Sequence, residues 1–144
     1  MLLGLDGVAK VSDVGLARAL RGTRLHANAS RVTGGGTPHY MSPEQWNDEE
    51  LTVKSDVYAY AVMLNEMVTW ARPWRDEKAH DGIRQKVSEG KRPEPLTDQP
   101  MEQEIVLSCW HSDAQARPEM QEIMERMRER VKQVVEGGEE EEHI

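Results

Sequence analysis

Apolar residues are unevenly spaced along the chain, and each change of spacing marks a change of predicted element. At the start, Met1, Leu2 and Leu3, then Val8, Ala9 and Val11, flank Leu5, Asp6 and Gly7, an Asp-Gly turn between two short apolar runs. That pattern predicts a β-hairpin over residues 1–12. From 12 to 47 the periodicity disappears in a polar, basic stretch broken by Gly22, by glycines at 34, 35 and 36, and by Pro38 and Pro43. So long a loop inside a compact domain is usually functional or disordered.

Helical spacing takes over after residue 50. Lys54, Ser55 and Asp56 supply an N-cap and a first-turn acid, and residues 57–70 are apolar or aromatic on nearly every side. A helix apolar all round belongs in the middle of a domain. Pro73 stops it, and 76–89 predicts a second, polar helix with Ile83 and Val87 facing inward and Gly90 closing it. A proline-broken linker, 91–100, leads to a third helix over 101–110. Pro118 then opens a fourth, which carries Met120, Ile123, Met127, Val131 and Val134 at helical spacing. Its methionines are most simply core filler. Gly137, Gly138 and four glutamates follow, so 133–144 is expected to be a disordered acidic tail. The predicted fold class is mainly α with a short N-terminal β-hairpin.

Composition narrows the function classes. The 144 residues carry a net charge of −8, but Glu136 and the glutamates at 139–142 supply much of it, leaving 18 basic against 21 acidic residues in the body. The chain is one domain's worth, and 38 % apolar residues can build a core. No tract of clustered Lys and Arg offers a footprint for a phosphate backbone, which argues against nucleic acid as a partner. The longest apolar stretch, 57–64, is far short of the roughly 20 residues a spanning helix needs, so no membrane span is expected. The start lacks a basic n-region. The expectation is a soluble intracellular, cytoplasmic protein. Cys109 has no second cysteine to pair with and reads as a buried reduced thiol, and the five scattered histidines have no metal-ligand spacing.

Six short motifs in order carry a resemblance. They are Val11 to Arg18 (VSDVGLAR), Gly36 to Glu44 (GTPHYMSPE), Lys54 to Tyr58 (KSDVY), Arg72-Pro73-Trp74, Cys109-Trp110 and Arg117-Pro118. Together they resemble the second half of a protein kinase catalytic domain, from the strand before the Asp-Phe-Gly motif onward. The GTPHYM run looks like serine/threonine specificity, and KSDVY with the later Cys-Trp looks like the tyrosine-kinase-like group. The resemblance divides the chain into a partial kinase domain over 1–132 and the tail. Within the domain it implies the hairpin at 1–12, an activation segment at 13–44 and a helical subdomain at 45–132.

The resemblance implies a role for each matching residue. Asp13 matches the aspartate that holds the Mg²⁺ bridging the ATP phosphates, because a hard cation takes carboxylate oxygen. Standing alone it would read as a turn or cap aspartate. Val14 stands where the family usually has Phe, a smaller apolar plug. Gly36, Thr37 and Tyr40 fall on the substrate-binding shelf, and Thr37 resembles the threonine that bonds the catalytic aspartate. Thr23, Ser30 and Thr33 are candidate phosphosites in a loop that also holds Arg18, Arg21, Arg24 and Arg31, or else ordinary loop hydroxyls. Glu44 and Arg117 resemble a buried ion pair that ties the activation segment to the loop before the last helix; read separately they are two surface charges. Asp56 resembles the aspartate anchoring the catalytic loop, and is equally a helix-start charge.

The family's phosphoryl-transfer machinery also needs a glycine-rich loop, a strand lysine and a catalytic loop bearing Asp and Asn. None of these is found among the 144 residues. The expectation is a truncated, inactive part of an ATP-dependent serine/threonine kinase, with ATP and Mg²⁺ as cofactors of the complete domain and no tight binding by this chain alone. The catalytic base is expected upstream of Met1. The alternative is a non-catalytic, pseudokinase-like binding module. Partners are expected to be a protein substrate or a docking kinase or regulator. With part of the Tyr58, Tyr60 and Met63 surface expected to lie open, self-association through exposed helix faces is a further expectation.

Overall fold

The computed structural model describes residues 2–3, 9–10, 38–50 and 52–141. Strands β1 (Leu2–Leu3) and β2 (Ala9–Lys10) pair antiparallel, Leu2 opposite Lys10 and Leu3 opposite Ala9. A 3-10 turn at Pro38–Tyr40 precedes α1 (Pro43–Trp46), α2 (Val53–Thr69), α3 (His80–Ser88) and α4 (Pro100–Cys109). A second 3-10 turn, Ala114–Ala116, leads into α5 (Met120–Glu141). The architecture is mainly helical, as the apolar spacing predicts.

Local chemistry starts and stops these helices. Before α1, the Ser42 amide donates to Gln45 Oε1 at 2.8 Å, and Pro43 occupies the first helical position, where its missing N–H costs nothing. The cap of α2 differs from the one the sequence suggests. Thr52 caps it, accepting from the Lys54 amide at 3.2 Å, and the helix begins four residues before Val57. Ser55 is not the cap because its hydroxyl turns inward and donates to Glu44 Oε1 at 2.8 Å. Helix α3 begins at His80 rather than at 76, because Trp74 is buried in a left-handed conformation and the chain turns there, Glu77 N–H donating to Trp74 O at 2.8 Å.

The core sits where α2 meets α4. Val57, Tyr58, Ala61, Val62 and Leu64 of α2 pack with Ile105, Val106 and Cys109 of α4, with Trp110, and with Ile123 of α5. Each fully buried aliphatic side chain contributes roughly 1.5–3 kcal/mol. A second cluster, Trp46, Trp74, Ile83 and Val87, joins α1 to α3. Buried Asn65 fastens the linker to α2: its side-chain amide donates to Pro95 O at 2.9 Å, and its carbonyl accepts from Thr97 N at 3.0 Å. Both ends of that amide are satisfied, which burial demands.

Two expectations are corrected. Tyr58 is not open but 1 % exposed, because Arg92 and Arg117 both cover its ring. The open residues toward the end of α2 are instead Met67 and Trp70, 57 and 94 % exposed. The acidic stretch is not wholly disordered either, since α5 continues to Glu141. Glutamate is a good helix former, and no proline follows to interrupt the ladder.

Candidate functional site

The densest polar site of the described residues joins the end of the 38–50 segment to the start of α2 and the loop before α5. Proline at 43 and the capping box aim Glu44 inward from the first turn of α1, and it is buried. Arg117, 73 positions on, follows the 3-10 turn whose N-cap, Asp113, accepts from Gln115 N at 2.9 Å. The two meet side by side: Arg117 NH1 donates to Glu44 Oε1 at 2.7 Å and NH2 to Oε2 at 2.8 Å. Arg117 also donates through NH1 to Lys54 O at 2.8 Å and through Nε to His111 O at 2.9 Å. A planar guanidinium suits such a fork, and the Ser55 hydroxyl donates to Glu44 Oε1 as well.

Burial alone would raise the Glu44 carboxyl, but the hydrogen bonds from Arg117, the backbone and Ser55 outweigh it and hold it at about 2. The pair is therefore fully ionised near neutral pH. Lys54 adds a second strap, Nζ donating to Arg117 O at 2.7 Å while also pairing with Glu119. Over the Tyr58 ring, the guanidinium carbons of Arg117 and Arg92 lie 5.2 and 5.3 Å from its centroid, within cation–π range. Arg92 is itself held by Trp110 O and the Ser112 hydroxyl, both at 2.8 Å.

A second polar corner surrounds the 3-10 turn at 38–40. Tyr40 OH donates to Glu66 of α2; burial first, then this bond and the Glu66 charge, push the phenol up to about 12. Burial, together with Arg72 and His80, lowers the neighbouring His39, whose Nδ1 is buried with no partner among the described residues. An open cleft of about 520 Å³ lies beside the ion pair, lined by Glu49, Glu50, Thr52, Ser88, Asp113 and Gln115 among others. The cleft is polar and acid-rich, a shape for a cationic or hydrogen-bonding surface rather than an apolar ligand.

Of the candidate residues, Glu44, Arg117, Tyr40 and Asp56 are described. Asp56 stands exposed in the first turn of α2 with no hydrogen-bond or ion-pair partner among the described residues. Asp13, Gly36, Thr37, Thr23, Ser30 and Thr33 lie outside the described residues. Among the described residues no three His, Cys, Asp or Glu side chains gather to hold a metal ion; Asp13 lies outside them. Sequence reasoning missed Lys54, Ser55, Arg92 and Glu66 as members of these networks. The only signal for Lys54 and Ser55 was their place in the KSDVY run.

The model of the family described as protein tyrosine and serine/threonine kinase matches residues 1–127. The chain belongs to this protein kinase family. Relatives of this kinase-family chain include the serine/threonine-protein kinases CTR1 and STY46 of Arabidopsis thaliana. They are 33 % identical over 136 residues and 30 % over 141, covering 94 and 97 % of the chain. Mouse vascular endothelial growth factor receptor 1 is 32 % identical over 134 residues, 88 % of the chain. The chain spans only 16, 24 and 10 % of these three relatives. Its similarity thus extends to serine/threonine-protein kinases and to a growth factor receptor alike. Among the described residues, no helix is long and apolar enough to cross a membrane.

Proposed function

We propose that the chain is the activation-segment and helical part of a cytoplasmic, tyrosine-kinase-like serine/threonine kinase, which moves the terminal phosphoryl group of ATP to protein hydroxyls. The observation that carries this reading is the buried fork between Glu44 and Arg117. It fastens the end of the 13–44 segment to the helical body, close in sequence to Tyr40, which donates to Glu66 of α2. A bound Mg²⁺ would supply charge neutralisation on the phosphates, and Asp13 is the residue of this chain suited to it. Phosphorylation at Thr23, Ser30 or Thr33 would order the segment through its arginines.

Alone, the chain is proposed to be inactive, because among its 144 residues there is no glycine-rich loop, strand lysine or catalytic-loop aspartate. The test has two parts. Highly purified chain with ATP, Mg²⁺ and protein substrate should give no metal-dependent phosphoryl transfer, and a clean rate removed by Asp13→Ala would refute inactivity. Capture of the native protein with an antibody to residues 70–90 should give an intact mass far above 16.4 kDa, the added sequence carrying the missing lysine and aspartate.

A second reading, a non-catalytic docking module, is favoured by one observation. Asp56, Met67 and Trp70 all lie exposed on α2, a face that a partner could cover. A native mass near 16.4 kDa would favour that reading over the first.

A further inference from the structure

The 3-10 turn at Pro38–Tyr40 is wedged between two helices. It packs on α2 and on α3, with Pro38 buried, Tyr40 against the α2–α4 core and the following Met41 against the cluster of Trp46, Trp74, Ile83 and Val87. Met41 N–H closes the turn by donating to Pro38 O at 3.2 Å, and Tyr40 OH fastens it by donating to Glu66. His39 is the middle residue, and its Nδ1 is buried with no hydrogen-bond partner among the described residues. The charges facing the imidazole come from each neighbouring element: Glu66 from α2, Arg72 from the chain just beyond it, and His80 from the first turn of α3. Glu66, the acid among them, already accepts from Tyr40. Arg72 makes no ion pair among the described residues, so its charge is not offset there.

Neutral imidazole has one N–H and one acceptor nitrogen. With the proton on Nε2, the buried Nδ1 is only an unused lone pair. Protonation turns Nδ1 into an N–H without an acceptor, on a ring that now carries charge in a desolvated corner beside Arg72 and His80. Both penalties apply only while the turn is seated. Burial first, then Arg72 and His80, accordingly hold the ring below its usual 6.5, with Glu66 pulling the other way. A base that is harder to protonate in the seated form leaves that form fully favoured above 6.5 and progressively disfavoured as pH falls below it.

We propose that the Pro38–Tyr40 turn is a pH-sensitive latch: proton uptake by His39 releases the turn from α2 and α3, and Tyr40 from Glu66, while the helical body stays folded. The body meets its own acid limit much lower, because the Glu44 carboxyl that anchors it is held at about 2. Local release and global unfolding are therefore separate events along the pH scale. The inference uses only the geometry of this corner and not the kinase reading, so the failure of one leaves the other standing.

Amide hydrogen exchange of the full chain, read by mass spectrometry from about pH 7.5 to about pH 5.5 and corrected for the intrinsic rate at each pH, tests it. Peptides covering 38–46 should lose protection by about threefold or more as pH falls, whereas those covering 57–64 should not change. His39→Gln, which takes up no proton, should abolish the response, and His80→Gln should keep it. A second measurement needs no variant: the imidazole nitrogen spectrum of the unaltered chain, assigned through the backbone, should show the Nε2–H tautomer of His39 at neutral pH and a titration midpoint below 6.5. Protection that stays flat with pH, a response that persists in His39→Gln or vanishes in His80→Gln, an Nδ1–H tautomer, a midpoint at or above 6.5, or parallel loss of protection across 57–64 would each overturn the proposal.

Discussion

Lys54 and Arg117 exchange hydrogen bonds crosswise: the ammonium of Lys54 donates to the Arg117 carbonyl at 2.7 Å, and the guanidinium of Arg117 donates to the Lys54 carbonyl at 2.8 Å. The start of α2 and the loop before α5 are thereby tied to each other, and both to Glu44. Four of the five guanidinium N–H groups' directions matter here, so the strap is specific to arginine.

Arg117→Ala is expected to destabilise the chain by about 3–5 kcal/mol, because Glu44 is then left buried without its counter-charge. That is a large share of the roughly 5–15 kcal/mol available to a domain. Arg117→Lys should recover only a minor part, since an ammonium cannot make the fork. Urea unfolding followed by circular dichroism measures both, and equal recovery by lysine would contradict the geometry.

Acid should expose the same pair. Glu44 is depressed from 4.5 to about 2, so its contribution is complete above pH 4.5 and is lost as pH falls toward 2. The depression corresponds to ~3 kcal/mol. Unfolding midpoints taken from pH 6 down to pH 2 should fall steeply over that window, and Glu44→Gln should flatten this limb while lowering the midpoint at pH 6.

The Tyr58 ring works through its face and its burial. Tyr58→Ala should cost about 3–5 kcal/mol as a buried aromatic is removed. Tyr58→Phe keeps the ring under both guanidinium groups and should cost under ~1 kcal/mol. Arg92→Ala should fall between them, losing the ring contact and the bonds to Trp110 and Ser112. Thermal melts of the three variants give the order, and a Phe variant as weak as the Ala variant would contradict it.

Cys109 is buried against α2, and burial raises its thiol, which keeps it protonated and out of reach. In the native state it should react with a disulfide reagent many times more slowly than after denaturation. Rapid native labelling would mean that α2 and α4 separate readily.

Trp70 caps α2 in the left-handed conformation at φ 54° with 94 % of its surface exposed. Left-handed backbone costs a side-chain-bearing residue about 1–2 kcal/mol relative to glycine. Trp70→Gly should therefore raise the unfolding midpoint slightly, and a drop would reveal that the indole is bound in solution.

Helix existence and the core faces were readable from the chain alone, since apolar spacing at 57–70 and 101–110 is a local property and burial of Val57, Ile105 and Ile123 follows from it. Family membership was readable as well, because six short motifs in order are a linear signal. Helix starts were less so: Ser55 and Thr52 both have cap chemistry, and the choice fell to Thr52 because Glu44, remote in sequence, takes the Ser55 hydroxyl. The burial of Tyr58 depended in the same way on two distant arginines. Apolar spacing along the chain sets which segments are helical and which faces are apolar. Which polar groups satisfy one another is settled by packing, because a buried hydrogen bond is chosen among all groups brought within about 3 Å, whatever their separation along the chain.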